Sequence, residues 1–244
     1  MTAFPPATPV TLAPRTARDG AHLSEITLAV HEAGSGPAVV LCHGFPELAY
    51  SWRHQLTALA GAGFRALAPD QRGYGASERP GAIGDYDIHH LCGDMAGLLD
   101  ALEIEKAVFC GHDWGGFVVW AMPILYPERT AGVIGVNTPY FPRGPEPPTA
   151  MMRKLVGGQV EKMYILWFQE PGVADPVLAA NTRAVFEKLM RGGVDPAVAI
   201  AAFSGQQVSG RTDPASGKEQ SQQNGFEMNP FRRIQEFYPC LLYT

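Results

Sequence analysis

The chain has 244 residues, of which 46% are apolar and 18% charged, with a formal net charge of −5 and a pI near 5.8. That is enough apolar chain for one buried domain, or for a compact core with a modest insertion, and it excludes a disordered tail. With a net negative charge and scattered Lys and Arg, no field draws in phosphate backbones or anionic lipid, so neither nucleic acid nor membrane is expected as a partner.

Residues 1–14 carry neither the basic stretch nor the apolar run of a secretory signal. No apolar run elsewhere approaches the ~20 residues that span a bilayer, so a cytoplasmic protein is expected. Alternating apolar and helical patterns predict strands over 26–31, 38–42, 64–68, 107–110 and 133–136, joined by helices as in a parallel sheet with right-handed crossovers. A helix is predicted over 52–60, with Trp52, Leu56 and Leu59 inward. A second follows Asp87 as N-cap, where Ile88, Leu91, Cys92, Met95, Leu98, Leu99 and Leu102 recur at helical spacing. Cys42, Cys92, Cys110 and Cys240 have no metal-ligand spacing, so no metal, cofactor or disulfide framework is expected.

The segment Gly111-His112-Asp113-Trp114-Gly115 stands between the strand at 107–110 and a helix that contains Pro123. Small residues two before and two after the central position are what a strand-to-helix turn needs to hold its middle residue exposed in a strained conformation. Aspartate occupies the place where serine is usual. A carboxylate is ionised at neutral pH and needs no base before it attacks. On an sp³ carbon it forms an alkyl ester that water can cleave, whereas serine would form an ether with no easy exit. The bland alternative for Asp113 is a helix N-cap; His112 is read as a packed elbow residue.

After the strand ending at Cys42 comes His43-Gly44-Phe45-Pro46-Glu47, and after the next strand Asp70-Gln71-Arg72-Gly73-Tyr74-Gly75-Ala76-Ser77. With the elbow and with Asn137-Thr138-Pro139, these segments resemble the epoxide hydrolases of the α/β-hydrolase fold over about residues 25–172. The resemblance implies an α/β class: a mostly parallel sheet with a helical cap inserted after strand 6, residues 1–142 forming the core and 143–244 the cap. It implies Asp113 as nucleophile, with the backbone N–H groups of Phe45 and Trp114 as oxyanion hole. In Met163-Tyr164-Ile165-Leu166-Trp167-Phe168 it matches Tyr164 to a cap tyrosine that holds the epoxide oxygen; aromatic packing is the alternative for Tyr164, and a simple turn for Gly44 and Pro46. The substrate implied is a small apolar epoxide. His43, Asp70 and Arg72 are read as structural, since the family places its acid and base after the nucleophile.

Beyond residue 142 the strand signals stop. Asp175-Pro176 and Asp195-Pro196 each offer an N-cap with proline at the first helical position, Gly192 can end the first of these helices, and 204–225 reads as a loop. All seven histidines precede Asp113, and Asn137 is not an acid. The family's order is nucleophile, acid, histidine. A truncated or frame-disrupted copy is therefore expected, lacking the last strands, the acid, the second cap tyrosine and the histidine. In such a chain the strand at 133–136 becomes an apolar sheet edge, and Asp113 is alkylated but not released.

Two other functions compete. Haloalkane dehalogenases share the Asp-Trp elbow, but they usually carry a side-chain donor near the position of Phe45, which has none. A non-catalytic binding protein would hold an apolar ligand reversibly. Serine esterase chemistry ranks below both because no Gly-x-Ser-x-Gly occurs.

Overall fold

The computed structural model describes residues 4–142, 144–159, 163–169 and 171–183, which fall into two compact units divided between Phe141 and Pro142. The first unit is built on eight strands: β1 (Ala7–Leu12), β2 (Arg15–Thr16), β3 (His22–Leu23), β4 (Ile26–Ala33), β5 (Ala38–Cys42), β6 (Arg65–Pro69), β7 (Ala107–His112) and β8 (Thr130–Val136). Six of them form one sheet in the order β1-β4-β6-β5-β7-β8. β6, β5, β7 and β8 run parallel, whereas β4 pairs antiparallel with β6 and β1 antiparallel with β4. This is the mostly parallel sheet expected of the α/β-hydrolase fold.

β5 is buried at all five positions because it is a central strand covered on both faces. Val40 and Cys42 pack on one side against Cys92, Met95, Leu98 and Leu99 of α2 (Ile88–Ala101) and against Val118, Val119 and Met122 of α3 (Trp114–Leu125). Val39 and Leu41 pack on the other against Trp52 and against Leu56 of α1 (Arg53–Gly61). The period of two along the strand thus feeds two cores, and each fully buried Leu or Val contributes about 1.5–3 kcal/mol. Asp87 caps α2, accepting the His90 N–H at 2.9 Å.

The structure corrects several expected bounds. β1, β2 and β3 are additional. β1 exposes or half-exposes every residue but Leu12, so it presents no apolar run, and its Pro9 is tolerated on an edge strand. The helix expected over 52–60 is a 3₁₀ turn at Ala49–Trp52 followed by α1. β8 begins three residues earlier than expected, at Thr130. Pro123 lies two residues from the end of α3, where it deprives only the Val119 carbonyl of its helical donor. As the last strand of the sheet among the described residues, β8 leaves Ile134 50% and Val136 39% exposed.

The second unit, described through residue 183, consists of helices: α4 (Pro148–Leu155), α5 (Tyr164–Trp167) and α6 (Ala174–Ala180). α6 starts one residue before Asp175, which therefore sits inside the first turn instead of capping it. Gly192, Asp195-Pro196, the loop at 204–225 and Cys240 lie outside the described residues.

Candidate active site

The parallel strands deliver their C-terminal ends to one edge of the sheet, the edge at which ligands bind in open α/β sheets. β7 ends at His112, and the next residue, Asp113, has φ 52° and ψ −121°. A side chain held in this region costs about 1–3 kcal/mol, and such strain persists where the surroundings over-determine it. The surroundings here are close. A Cβ on Gly111 would lie 2.2 Å from the Gly115 carbonyl oxygen, and one on Gly115 would lie 2.1 Å from the Cys42 carbonyl oxygen. Only glycine lets strand and helix approach this tightly, which is the physical content of the Gly-x-Asp-x-Gly pattern. The Asp113 carbonyl accepts from the Gly116 N–H at 2.9 Å and from the Thr138 hydroxyl at 3.1 Å.

The loop after β5 meets the elbow from the neighbouring strand. The Phe45 N–H donates to Asp113 Oδ1 at 2.9 Å, and a Cβ on Gly44 would lie 2.4 Å from the Asp113 Cβ. Trp114, 39% exposed, is the first residue of α3, so its N–H is one of the four that a helix leaves without an intrahelical partner. The structure thus brings together Asp113, Phe45 and Trp114. Tyr164 belongs to the second unit, where it opens α5, packs edge-on to Phe168 at 5.5 Å and adjoins buried Trp167.

His43, Asp70 and Arg72 are buried and engaged in structural contacts. His43 is fully buried; its Nδ1 donates to the Gly44 carbonyl at 2.9 Å and its Nε2 accepts the Gln71 N–H at 3.0 Å, which fixes a neutral ring. Asp70 accepts the Ala49 and Ala76 N–H groups at 2.9 and 3.1 Å. Arg72 grips buried Asp94 with two bonds of 2.6 Å and donates to the Asp85 carbonyl at 2.6 Å. Among the described residues no group of His, Cys, Asp and Glu could hold a metal ion, and no helix is long and apolar enough to cross a membrane.

Sequence reasoning missed three neighbours. Thr138 braces the elbow, a role that the segment Asn137-Thr138-Pro139 does not announce. Tyr74 stacks edge-on to His43 at 4.9 Å, and its hydroxyl is pushed up to about 12 by burial, with the charge of Asp113 adding to the shift. Glu47 accepts from both His112 Nδ1, at 3.0 Å, and the Gly44 N–H, at 3.2 Å, through one oxygen. No local signal in the sequence marks such partners, because they are far apart along the chain.

The two histidines beside the site titrate in opposite directions. The bond to Glu47 raises His112 above the usual histidine value, and burial lowers His43. The His112 contribution to stability is complete below the ordinary histidine value and is lost as pH rises through its raised folded value. The His43 contribution is complete above the ordinary value and is lost as pH falls through its lowered one. Thermal unfolding followed against pH should show both losses, and His112→Gln should remove the alkaline one alone.

Residues 37–192, more than half of the chain, match the model of the alpha/beta hydrolase fold family, and the chain belongs to that family. The relatives it is similar to include several epoxide hydrolases. It is 51% identical over 173 residues to epoxide hydrolase A of Mycobacterium tuberculosis, covering 70% of this chain and 53% of that protein. It is 48% identical over 160 residues to bifunctional epoxide hydrolase 2 of Sus scrofa, covering 66% and 28%. The crystal structure of epoxide hydrolase A from Mycobacterium thermoresistibile superposes with a TM-score of 0.65 at 49% identity, over 76% of this chain and 56% of that one. The chain spans about half or less of the length of these curated relatives.

Proposed function

We propose that the protein opens small apolar epoxides by attack of the Asp113 carboxylate on a ring carbon, forming an alkyl ester. The observation that carries this is the Phe45 N–H at 2.9 Å from Asp113 Oδ1 on a strained, glycine-flanked elbow. Attack by Oδ2 breaks the C–O bond of the epoxide and leaves Oδ1 as the ester carbonyl oxygen, already held by Phe45. When water later adds to that carbonyl, the negative charge develops on the same oxygen, where the Phe45 and Trp114 N–H groups stabilise it; losing one such donor can cost roughly 100-fold or more in rate.

Tyr164, from the helical unit, is the donor assigned to the epoxide oxygen, which becomes an alkoxide as the ring opens and takes the phenol proton. Residues 143–244 are read as the cap, and the working compartment as the cytoplasm. In these 244 residues no histidine follows Asp113, so the ester is expected to accumulate instead of turning over.

Parallel incubations with styrene oxide and a bromoalkane test the substrate class. Styrene oxide should be consumed with one covalent adduct per chain, bromide release should be far slower, and Tyr164→Phe should slow epoxide capture by about 100-fold. Faster bromide release would favour a dehalogenase, and reversible binding with no adduct would favour a passive carrier.

A further inference from the structure

The carboxylate of Glu47 stands between the two pieces of chain that must stay in register for Asp113 to act. Gly44 and Phe45 present consecutive N–H groups to two different carboxylates: Gly44 to Glu47 Oε2 at 3.2 Å, and Phe45 to Asp113 Oδ1 at 2.9 Å. The same Oε2 receives His112 Nδ1 at 3.0 Å, and His112 is the residue that joins β7 to Asp113. The loop is also closed through the main chain, because the Glu47 N–H donates to the Gly44 carbonyl at 3.0 Å. With the Gly44 backbone lying against the Asp113 side chain, a shift of the loop is a shift of the donor relative to the nucleophile.

We propose that Glu47 and His112 are positioning residues: one carboxylate oxygen ties the oxyanion loop to the nucleophile strand and so holds the Phe45 N–H on Asp113. Two carboxylates converge on this corner, and a protonated His112 between them offsets their repulsion. Glu47 and Asp113 are the charged groups that act on His112 among the described residues. Glu47, lowered chiefly by its bond to His112, keeps the clamp as pH falls until its own lowered value is reached; His112 keeps it as pH rises until its raised value is reached. The clamp is therefore an ion pair between those two values and weakens on the alkaline side as the ring loses its charge. It rests on the assignment of Asp113 as nucleophile for its purpose, though not for its existence.

The test reads the Phe45 amide by NMR in the isotopically labelled 244-residue chain, with no epoxide present. In the wild type, Phe45 should be shifted downfield and protected from exchange, and both effects should weaken as pH rises through the raised His112 value. His112→Gln, whose amide can still donate to Glu47, should abolish that inflection. Glu47→Ala should cut Phe45 protection by about tenfold or more, the factor equivalent to one pH unit, while the amides of Val108 and Phe109 in β7 keep theirs. Glu47→Gln should restore most of the protection without the pH dependence. Unchanged Phe45 protection in a folded Glu47→Ala variant overturns the proposal, and so does a wild-type titration with no inflection from His112. If Glu47→Ala does not fold, the wild-type and His112→Gln titrations decide alone. Failure of epoxide capture with an intact clamp would instead overturn the assignment of the nucleophile.

Discussion

Asp113→Asn should lose covalent capture of an epoxide by at least about three orders of magnitude, because a neutral amide replaces the attacking carboxylate. The fold should be nearly untouched. The amide oxygen of Asn can still accept the Phe45 N–H that now reaches Oδ1 at 2.9 Å, and the Gly116 and Thr138 bonds go to the backbone carbonyl, which the substitution leaves in place. Intact mass spectrometry over a time course with styrene oxide gives the rate, and thermal unfolding gives the control. A variant that captures epoxide as fast as the wild type would remove Asp113 from the chemistry, and one that does not fold would show that the carboxylate charge itself supports the elbow.

The second large effect is on stability. Arg72 and Asp94 are both buried, with side-chain exposures of 3% and 0%, and burial pushes the Asp94 carboxyl up against the opposing Arg72 contact. Arg72→Ala strands the carboxylate, since Arg15 lies at 3.9 Å and does not replace a two-pronged bond. Breaking a buried pair from one side costs about 3–5 kcal/mol, which for a unit of this size is about 10 °C or more in thermal midpoint. The loss should shrink at acid pH, where Asp94 takes up a proton and no longer needs a cation. Arg72→Met combined with Asp94→Leu should recover most of the loss, because the desolvation cost leaves together with the pair. A single variant within about 1 kcal/mol of the wild type would show that the pair is not the anchor of the segment after β6.

The contrast between these two sites explains what could be read from the chain alone. The elbow is a local object: Gly111 and Gly115 flank Asp113 because their Cβ atoms would strike backbone, so the requirement is written within five consecutive residues. The strands β5 and β7 were equally plain, since a strand buried on both faces must be apolar throughout. β1 was invisible for the converse reason. It lies at the sheet edge with one buried residue, Leu12, and its pairing with β4 is carried by backbone bonds that leave no pattern in side chains.

The supports of the site were hidden by distance. Glu47 and His112 are 65 positions apart, and Thr138 reaches Asp113 across 25; nothing in either segment names its partner. Three of the four expected site residues share one corner because they sit in segments with strong local rules: the turn after β5 and the start of α3. Tyr164 entered by resemblance alone, for an aromatic residue in an apolar helix fits packing as readily as chemistry, and its ring does pack on Phe168.

Everything proposed for the chemistry requires that the carboxylate oxygens of Asp113 reach an electrophilic carbon in solution. Incubation of the folded chain with styrene oxide, followed by proteolysis and tandem mass spectrometry, tests this most directly. The expected result is one addition of the epoxide mass, confined to the peptide that carries Asp113 and cleaved by mild base as an ester. An adduct found instead on a cysteine or histidine, or none at all on a folded sample, would contradict it.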